Sequence, residues 1–188
     1  RFYQHWGVDV LGVARAIIGN ITSGGVQSGA STITQQVAKN FYLSNERTFT
    51  RKFNEALLAY KIEQSLSKDQ ILELYFNQIY LGQRAYGFAA AAQIYFNKPV
   101  QELTLAEASM LAGLPKAPSA FNPVVNPERA KLRQAYILNN MQELGMITPQ
   151  QKAQAMAEEL HYERFVQQID QSALYVAEMA RQELYEKY

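Results

Sequence analysis

The apolar residues of this chain recur with a helical period almost from end to end, and that constrains its fold more than anything else in it. Phe53, Ala56, Leu57 and Tyr60 follow the i, i+3, i+4, i+7 spacing of one helix face, and Ile71, Leu74, Tyr75 and Ile79 repeat that spacing closely. No stretch keeps the two-residue alternation of a half-buried strand for more than a few residues, and no Asn-Gly or Asp-Gly hairpin turn occurs. Helix starts are marked by Ser67-Lys68-Asp69-Gln70 and Thr104-Leu105-Ala106-Glu107, each with a hydroxyl at the cap and an amide or carboxyl three residues on. Asn126-Pro127 and Thr148-Pro149 place a capping residue before a proline at the first helical position, and Gly145 stops the run that starts at Pro127. These signals predict an all-α fold with helices over 8–20, 31–42, 46–66, 68–81, 86–96, 105–113, 127–143, 149–159 and 172–187. Loops fall at 22–30, 97–103, 114–125 and 161–171, and the last would hand a compact body over to a trailing helix.

A chain of 188 residues, 48% hydrophobic and 19% charged, has the length and composition of a globular domain with a substantial core. Its net charge of +1 argues against bulk nucleic-acid binding, which needs a strong basic excess. The absence of cysteine excludes disulfides, zinc-thiolate sites and thiol catalysis. No apolar run reaches the length that crosses a bilayer. Residues 8–21 are nonetheless strongly apolar, broken only by charges at Asp9 and Arg15. Two readings fit them: a buried core helix, or an amphipathic element lying in a membrane surface. The chain opens on Arg1 without a methionine, which reads as a piece cut from something longer.

Three groups of residues have the composition of a site. The stretch from Gly29 to Asn40 follows a glycine-containing loop, and Thr32, Gln36 and Lys39 share one helix face, as do Gln36 and Asn40. Uncharged donors and one ammonium at a helix start suit anionic oxygens, whereas an ordinary solvated face would carry more Glu and Lys. In Arg51-Lys52-Phe53-Asn54-Glu55, the carboxylate lies opposite the Phe53/Ala56/Leu57/Tyr60 stripe, beside Leu58, Ala59 and Ile62. A helix apolar on both sides is interior, and Glu55 would then be a buried carboxylate with a cation one turn away. It reads either as a structural Glu–Arg pair or as a group for proton transfer or charge stabilisation. Lys116 stands in a loop stiffened by Pro115 and Pro118, where an anion contact costs it little entropy, or where it is simply solvated. His5 and His161 are far apart, and no His/Asp/Glu spacing marks a metal site.

In this order, the pieces resemble the peptidoglycan glycosyltransferase module of class A penicillin-binding proteins. Five family motifs can be followed. Phe2, His5 and Gly7 match the end of Glu-Asp-x-x-Phe-x-x-His-x-Gly. The block from Gly29 through Ser31, Thr32 and Gln36 to Lys39 and Asn40 is the second, and Arg51-Lys52-x-x-Glu55 is the third. Ile71-Leu72-Glu73-Leu74-Tyr75-Phe76-Asn77 leading to Tyr80-Leu81-Gly82 is the fourth, and Glu107 through Lys116 is the fifth. Arg84-Ala85-Tyr86-Gly87 with the alanines at 89–92 is most similar to the 1A subtype. The match is dense over about the first three quarters of the chain and looser in the tail.

The resemblance implies a lysozyme-like helical fold at the outer, periplasmic face of the cytoplasmic membrane. It implies polymerisation of lipid II into glycan strands, with inversion and release of undecaprenyl pyrophosphate. Residues 1–160 would be the glycosyltransferase domain, with 8–28 a membrane-associated jaw that favours the interfacial reading of that stretch. A mobile loop at 22–27 would close over the donor, and 161–188 would lead toward a transpeptidase domain. The family's base is the Glu four residues before Phe2, with an Asp after it. Both would lie outside this chain, so the piece alone is expected to be inactive. The second family glutamate matches Glu55, expected to be catalytic at the donor pyrophosphate. Phe2, His5, Ser31, Thr32, Gln36, Lys39, Asn40, Arg51, Lys52 and Lys116 would bind substrate. No metal ligands are assigned, although the family admits a divalent cation, Mg or Mn, at the pyrophosphate. Expected partners are lipid II and the growing glycan strand, the membrane surface and cell-wall synthesis proteins, with no nucleic acid. Two other readings stay open: a lysozyme-like enzyme that cleaves glycan strands, and a non-catalytic module that binds the lipid-linked precursor.

Overall fold

The computed structural model describes residues 2–22, 31–40, 48–162 and 179. Among these residues are eight α-helices and no strand: α1 (Val10–Thr22), α2 (Ile33–Lys39), α3 (Phe49–Ser65), α4 (Lys68–Gln78), α5 (Phe88–Phe96), α6 (Leu105–Gly113), α7 (Pro127–Glu143) and α8 (Pro149–Ala157). Short 3-10 turns occupy Phe2–Gln4, Val100–Glu102 and Leu114–Lys116. Each helix begins and ends within a few residues of its expected span. Of the helix expected over 172–187 only Met179 is among the described residues, and Gly29 and the loop at 22–27 beyond Thr22 lie outside them.

The caps explain why these boundaries were readable. Thr32, Ser67, Thr104 and Thr148 each close a full capping box with Gln35, Gln70, Glu107 and Gln151, satisfying donors that a helix start leaves free. Gly145 adopts φ +69°, and α7 ends there with Met146 N bonded to Met141 O and Gly145 N to Gln142 O, the paired bonds of a Schellman stop. Asn126 departs from expectation. It makes no side-chain cap on α7, because its amide donates instead to the Ser119 carbonyl, 3.2 Å away, and closes the preceding loop.

Three hydrophobic clusters hold the described body together, the smallest joining Ala106 of α6, Leu138 of α7 and Ala155 of α8. One gathers Leu81, Ala91, Ala92, Tyr95, Phe96, Met110, Leu111, Leu114 and Ala130 from α5, α6, α7, the turn before α5 and the 3-10 turn after α6. That turn is tight: Gly87 N donates to Ile79 O at 2.8 Å, and a Cβ on Gly87 (φ +85°) would lie 2.6 Å from the Asn77 carbonyl oxygen. The second core joins Val37 of α2 to Ile71 and Tyr75 of α4, with Phe2, Ile62 and Leu74 packed against it. It fixes α2, α3 and α4 relative to one another and so positions the site below.

Two helices leave apolar faces exposed, and for one of them, α3, this is against expectation. The core-helix reading of 8–21 fails: among the described side chains of α1 only Ala16 is buried, while Val10, Leu11, Ile18 and Ile21 face outward, Leu11 at 72% exposure. Nor is α3 interior on both sides. Its Glu55/Ala59 side is buried, but Phe49, Phe53, Leu57 and Tyr60 are exposed, Phe49 almost completely. The reason is packing: α2 and the Phe2–Gly7 segment both use the first face, and Gly7 lies so near Ala59 that an added Cβ would stand 3.1 Å from its carbonyl.

Candidate active site

Thr48 caps α3 through the Arg51 amide, and the helix then places Arg51, Lys52 and Glu55 on adjoining turns. Glu55 is 2% exposed, so its carboxylate needs compensating charge. Arg51 Nη1 lies 3.5 Å from Oε1 and Lys52 Nζ lies 3.0 Å from Oε2. The Lys52 ammonium also donates to Ser31 Oγ at 2.7 Å, tying α3 to the residues that lead into α2. Glu55 Oε1, Arg51 Nε and Arg51 Nη1 are buried without a hydrogen-bond partner among the described residues. Buried polar atoms left unpaired are costly, and they concentrate where a protein meets a ligand.

Ser31 also lines an open cavity of about 460 Å³, together with Phe2, His5, Asp9, Gly12, Arg15, Ala16, Thr32, Ile33 and Gln36. Lys52 reaches the cavity lining only through its hydrogen bond to Ser31, and Arg51, Lys52 and Glu55 do not line it themselves. Thr32 is committed to the fold: its hydroxyl donates to the Gly7 carbonyl and accepts from Gln35 N, so its proton is not free for a substrate. Gln36 stands half-buried on the wall. Lys39 and Asn40 are exposed at the far end of α2, where Asn40 donates to Gln78 Oε1 at 3.2 Å. Lys116 stands apart from the Glu55 group. Its ammonium lies 6.0 Å from the Phe121 ring, which Arg133 also approaches at 5.9 Å.

His5 has a withdrawn setting. Burial and then the Lys68 ammonium push its imidazole below the ordinary range, with Asp9 and Glu63 pulling the other way. Its Nδ1 is buried without a partner among the described residues, and its ring packs edge-on to Phe2. Asp9 and Arg15 were not expected on the wall. Asp9 accepts from the Gly12 amide at 2.8 Å and caps the start of α1, and Arg15 is the only cation in that helix. Charges interrupting an otherwise apolar stretch were the signal for both.

These donors do not fit a resident divalent cation. Both Glu55 oxygens already face cations, and no three His, Cys, Asp or Glu side chains among the described residues gather into a metal-binding group. The charge of Glu55 is neutralised by Arg51 and Lys52.

An all-helical body with a buried, cation-flanked carboxylate one hydrogen-bonded contact from an open cavity is consistent with the lysozyme-like fold class. The chain belongs to the transglycosylase family, whose model matches residues 1–142. It is 86% identical to penicillin-binding protein 1A of Neisseria cinerea over all 188 residues, and 53% identical to that of Pseudomonas aeruginosa, also over its full length. The chain spans about a quarter of the length of these curated relatives, 24% and 23% respectively. A 2.6 Å crystal structure of penicillin-binding protein 1A from Haemophilus influenzae is similar at TM-score 0.53 and 35% identity, over 83% of this chain and 19% of that one.

Proposed function

We propose that this chain is the part of a bifunctional, membrane-anchored cell-wall enzyme that polymerises lipid II into peptidoglycan strands. In the proposed reaction, the 4-hydroxyl of the acceptor sugar attacks the anomeric carbon of the growing strand. The bond to the lipid diphosphate breaks with inversion, undecaprenyl pyrophosphate leaves, and the hydroxyl proton passes to a base. Negative charge grows on the leaving diphosphate, which is where fixed cations lower a barrier. The observation that carries this reading is Lys52, whose ammonium bridges Ser31 on the cavity wall and buried Glu55. Glu55 would hold Arg51 and Lys52 in place and tune their charge as the diphosphate departs. Phe2, His5, Ser31 and Gln36 would shape the cavity around the substrate. Lys39, Asn40 and Lys116 join the proposal on their motif positions alone, without a contact to this group.

The base on the acceptor is proposed to be the family glutamate four residues before Phe2. Glycan cleavage is the poorer reading, because hydrolysis of a glycosidic bond produces no diphosphate and needs no such cations. The outward face of α1 is proposed to lie on the outer leaflet of the cytoplasmic membrane, beside the growing strand. No helix among the described residues is long and apolar enough to cross a membrane. The test is polymer formation from lipid II by the full-length protein, by the 188-residue chain, and by the full-length Glu55→Gln variant. Polymer from the full-length parent alone supports the whole proposal. Polymer from the 188-residue chain would remove the proposed base, and normal polymer from Glu55→Gln would remove Glu55 from the reaction.

A further inference from the structure

The Phe2–Gly7 segment is a thin wall between two cavities. On one side is the cavity described above, and on the other a cavity of about 380 Å³ bounded by Tyr3, Trp6, Tyr60, Glu63 and Lys68. His5 lines both. Packing holds the ends of this wall, Phe2 against the second core and Gly7 against Ala59, but between them open space lies on both sides and hydrogen bonds must fasten it. Thr32 fastens the Gly7 end through its hydroxyl. At the other end, Lys68 Nζ donates to the His5 carbonyl at 2.6 Å and stands 4.6 Å from the centre of the Phe2 ring.

Lys68 is itself held. Its ammonium lies 2.7 Å from Glu63 Oε1, and the same oxygen accepts from the fully buried Thr34 hydroxyl. The chain of contacts thus runs from α2 through α3 and α4 to the wall. The location of Lys68 is informative, because it is the first residue of α4, where the helix dipole disfavours a cation. The helix gains nothing from an ammonium there, whereas the wall gains a charge-assisted hydrogen bond.

We infer that Lys68, oriented by Glu63 and Thr34, is a positioning residue that fixes the Phe2–His5 wall of the substrate cavity. The inference rests on the function proposed above. It touches no reacting atom; it sets where the wall stands while substrate is bound.

The test uses the full-length protein and two readouts, hydrogen exchange of the peptide covering residues 2–7 and the kinetics of lipid II turnover. In Lys68→Met, exchange of that peptide should rise about tenfold or more while α5, α6 and α7 keep their protection. The kcat should fall about tenfold to a hundredfold, as expected for a misplaced wall, with KM within about twofold of the parent. Lys68→Arg should restore both readouts. The swap Glu63→Lys with Lys68→Glu should recover the unfolding midpoint but neither readout, since a carboxylate cannot donate to the His5 carbonyl. Unchanged exchange at 2–7 in Lys68→Met would overturn the inference, as would full activity in the swap. Loss of protection throughout α5, α6 and α7 would make the pair merely structural and overturn it too. A parent without lipid II turnover would overturn the proposed function, while the exchange experiment would still decide whether Lys68 fastens the wall.

Discussion

Lys52 holds one oxygen of Glu55 at 3.0 Å, while the other oxygen is buried 3.5 Å from Arg51 with no hydrogen-bond partner among the described residues. The carboxylate is thus half satisfied by hydrogen bonding, and it holds both neighbouring cations beside it. Glu55→Gln should reduce lipid II turnover by about a hundredfold or more, the scale of losing one preorganised electrostatic contact. Circular dichroism should show the helical content unchanged. Turnover within about twofold of the parent would show that the carboxylate does not aim the cations.

The exposed aliphatic side chains of α1 separate the fold from its proposed surroundings. Leu11→Glu and Ile18→Glu replace residues that make no core, so the unfolding midpoint should barely change. Binding to vesicles and polymerisation of vesicle-borne lipid II should both fall, because a charge now faces the apolar phase. Equal vesicle binding by parent and variants would count against a membrane role for this face.

His5 should make stability depend on pH. Its folded-state pKa lies below the ordinary value of 6.5, so the unfolded chain takes up the proton first as pH falls. The stability it contributes is therefore present above pH 6.5 and is lost as the pH falls through that value toward the folded pKa. Urea midpoints measured from neutral to mildly acid pH should decline more steeply for the parent than for His5→Gln. Parallel curves would show that the imidazole is not desolvated as its surroundings imply.

The turn before α5 should tolerate almost nothing. Gly87→Ala sets a Cβ against the Asn77 backbone at a positive φ, and about 2–4 kcal/mol of destabilisation is expected from the strain and the displaced strand of chain together. Tyr95→Phe should cost about 1–2 kcal/mol, since it leaves the buried Leu81 carbonyl without its 2.9 Å donor. Denaturant unfolding of both variants checks the order, with Gly87→Ala the worse.

How much could be read in advance varied with the range of the interactions. Capping boxes at Ser67, Thr104 and Thr148 are contacts between residues three apart, so they survive as sequence patterns and mark helix starts well. The Arg51–Lys52–Glu55 cluster was legible for the same reason, since all three residues lie within one and a half turns. Asn126 looked like a cap because Asn-Pro usually is one, and a competing carbonyl seven residues back took its amide instead. The exposure of α1 was not legible in composition, because an apolar run has the same composition whether it faces a core or the outside, and only the family resemblance favoured it. Thr34, Glu63 and Lys68 escaped notice altogether. Their partners are 29 and 63 residues away for the two long links, and only the packing of α2, α3 and α4 brings them together.

Because α1 buries only one described side chain, the requirement to pack does little to dictate its residues. A variant library selected for folding alone would let this helix drift freely, while α5 and α6, with fully buried Ala91, Ala92, Tyr95, Ala106 and Leu111, would hardly change. Any constraint on the residues of α1 that such a library fails to reproduce must then come from what the helix meets outside the fold.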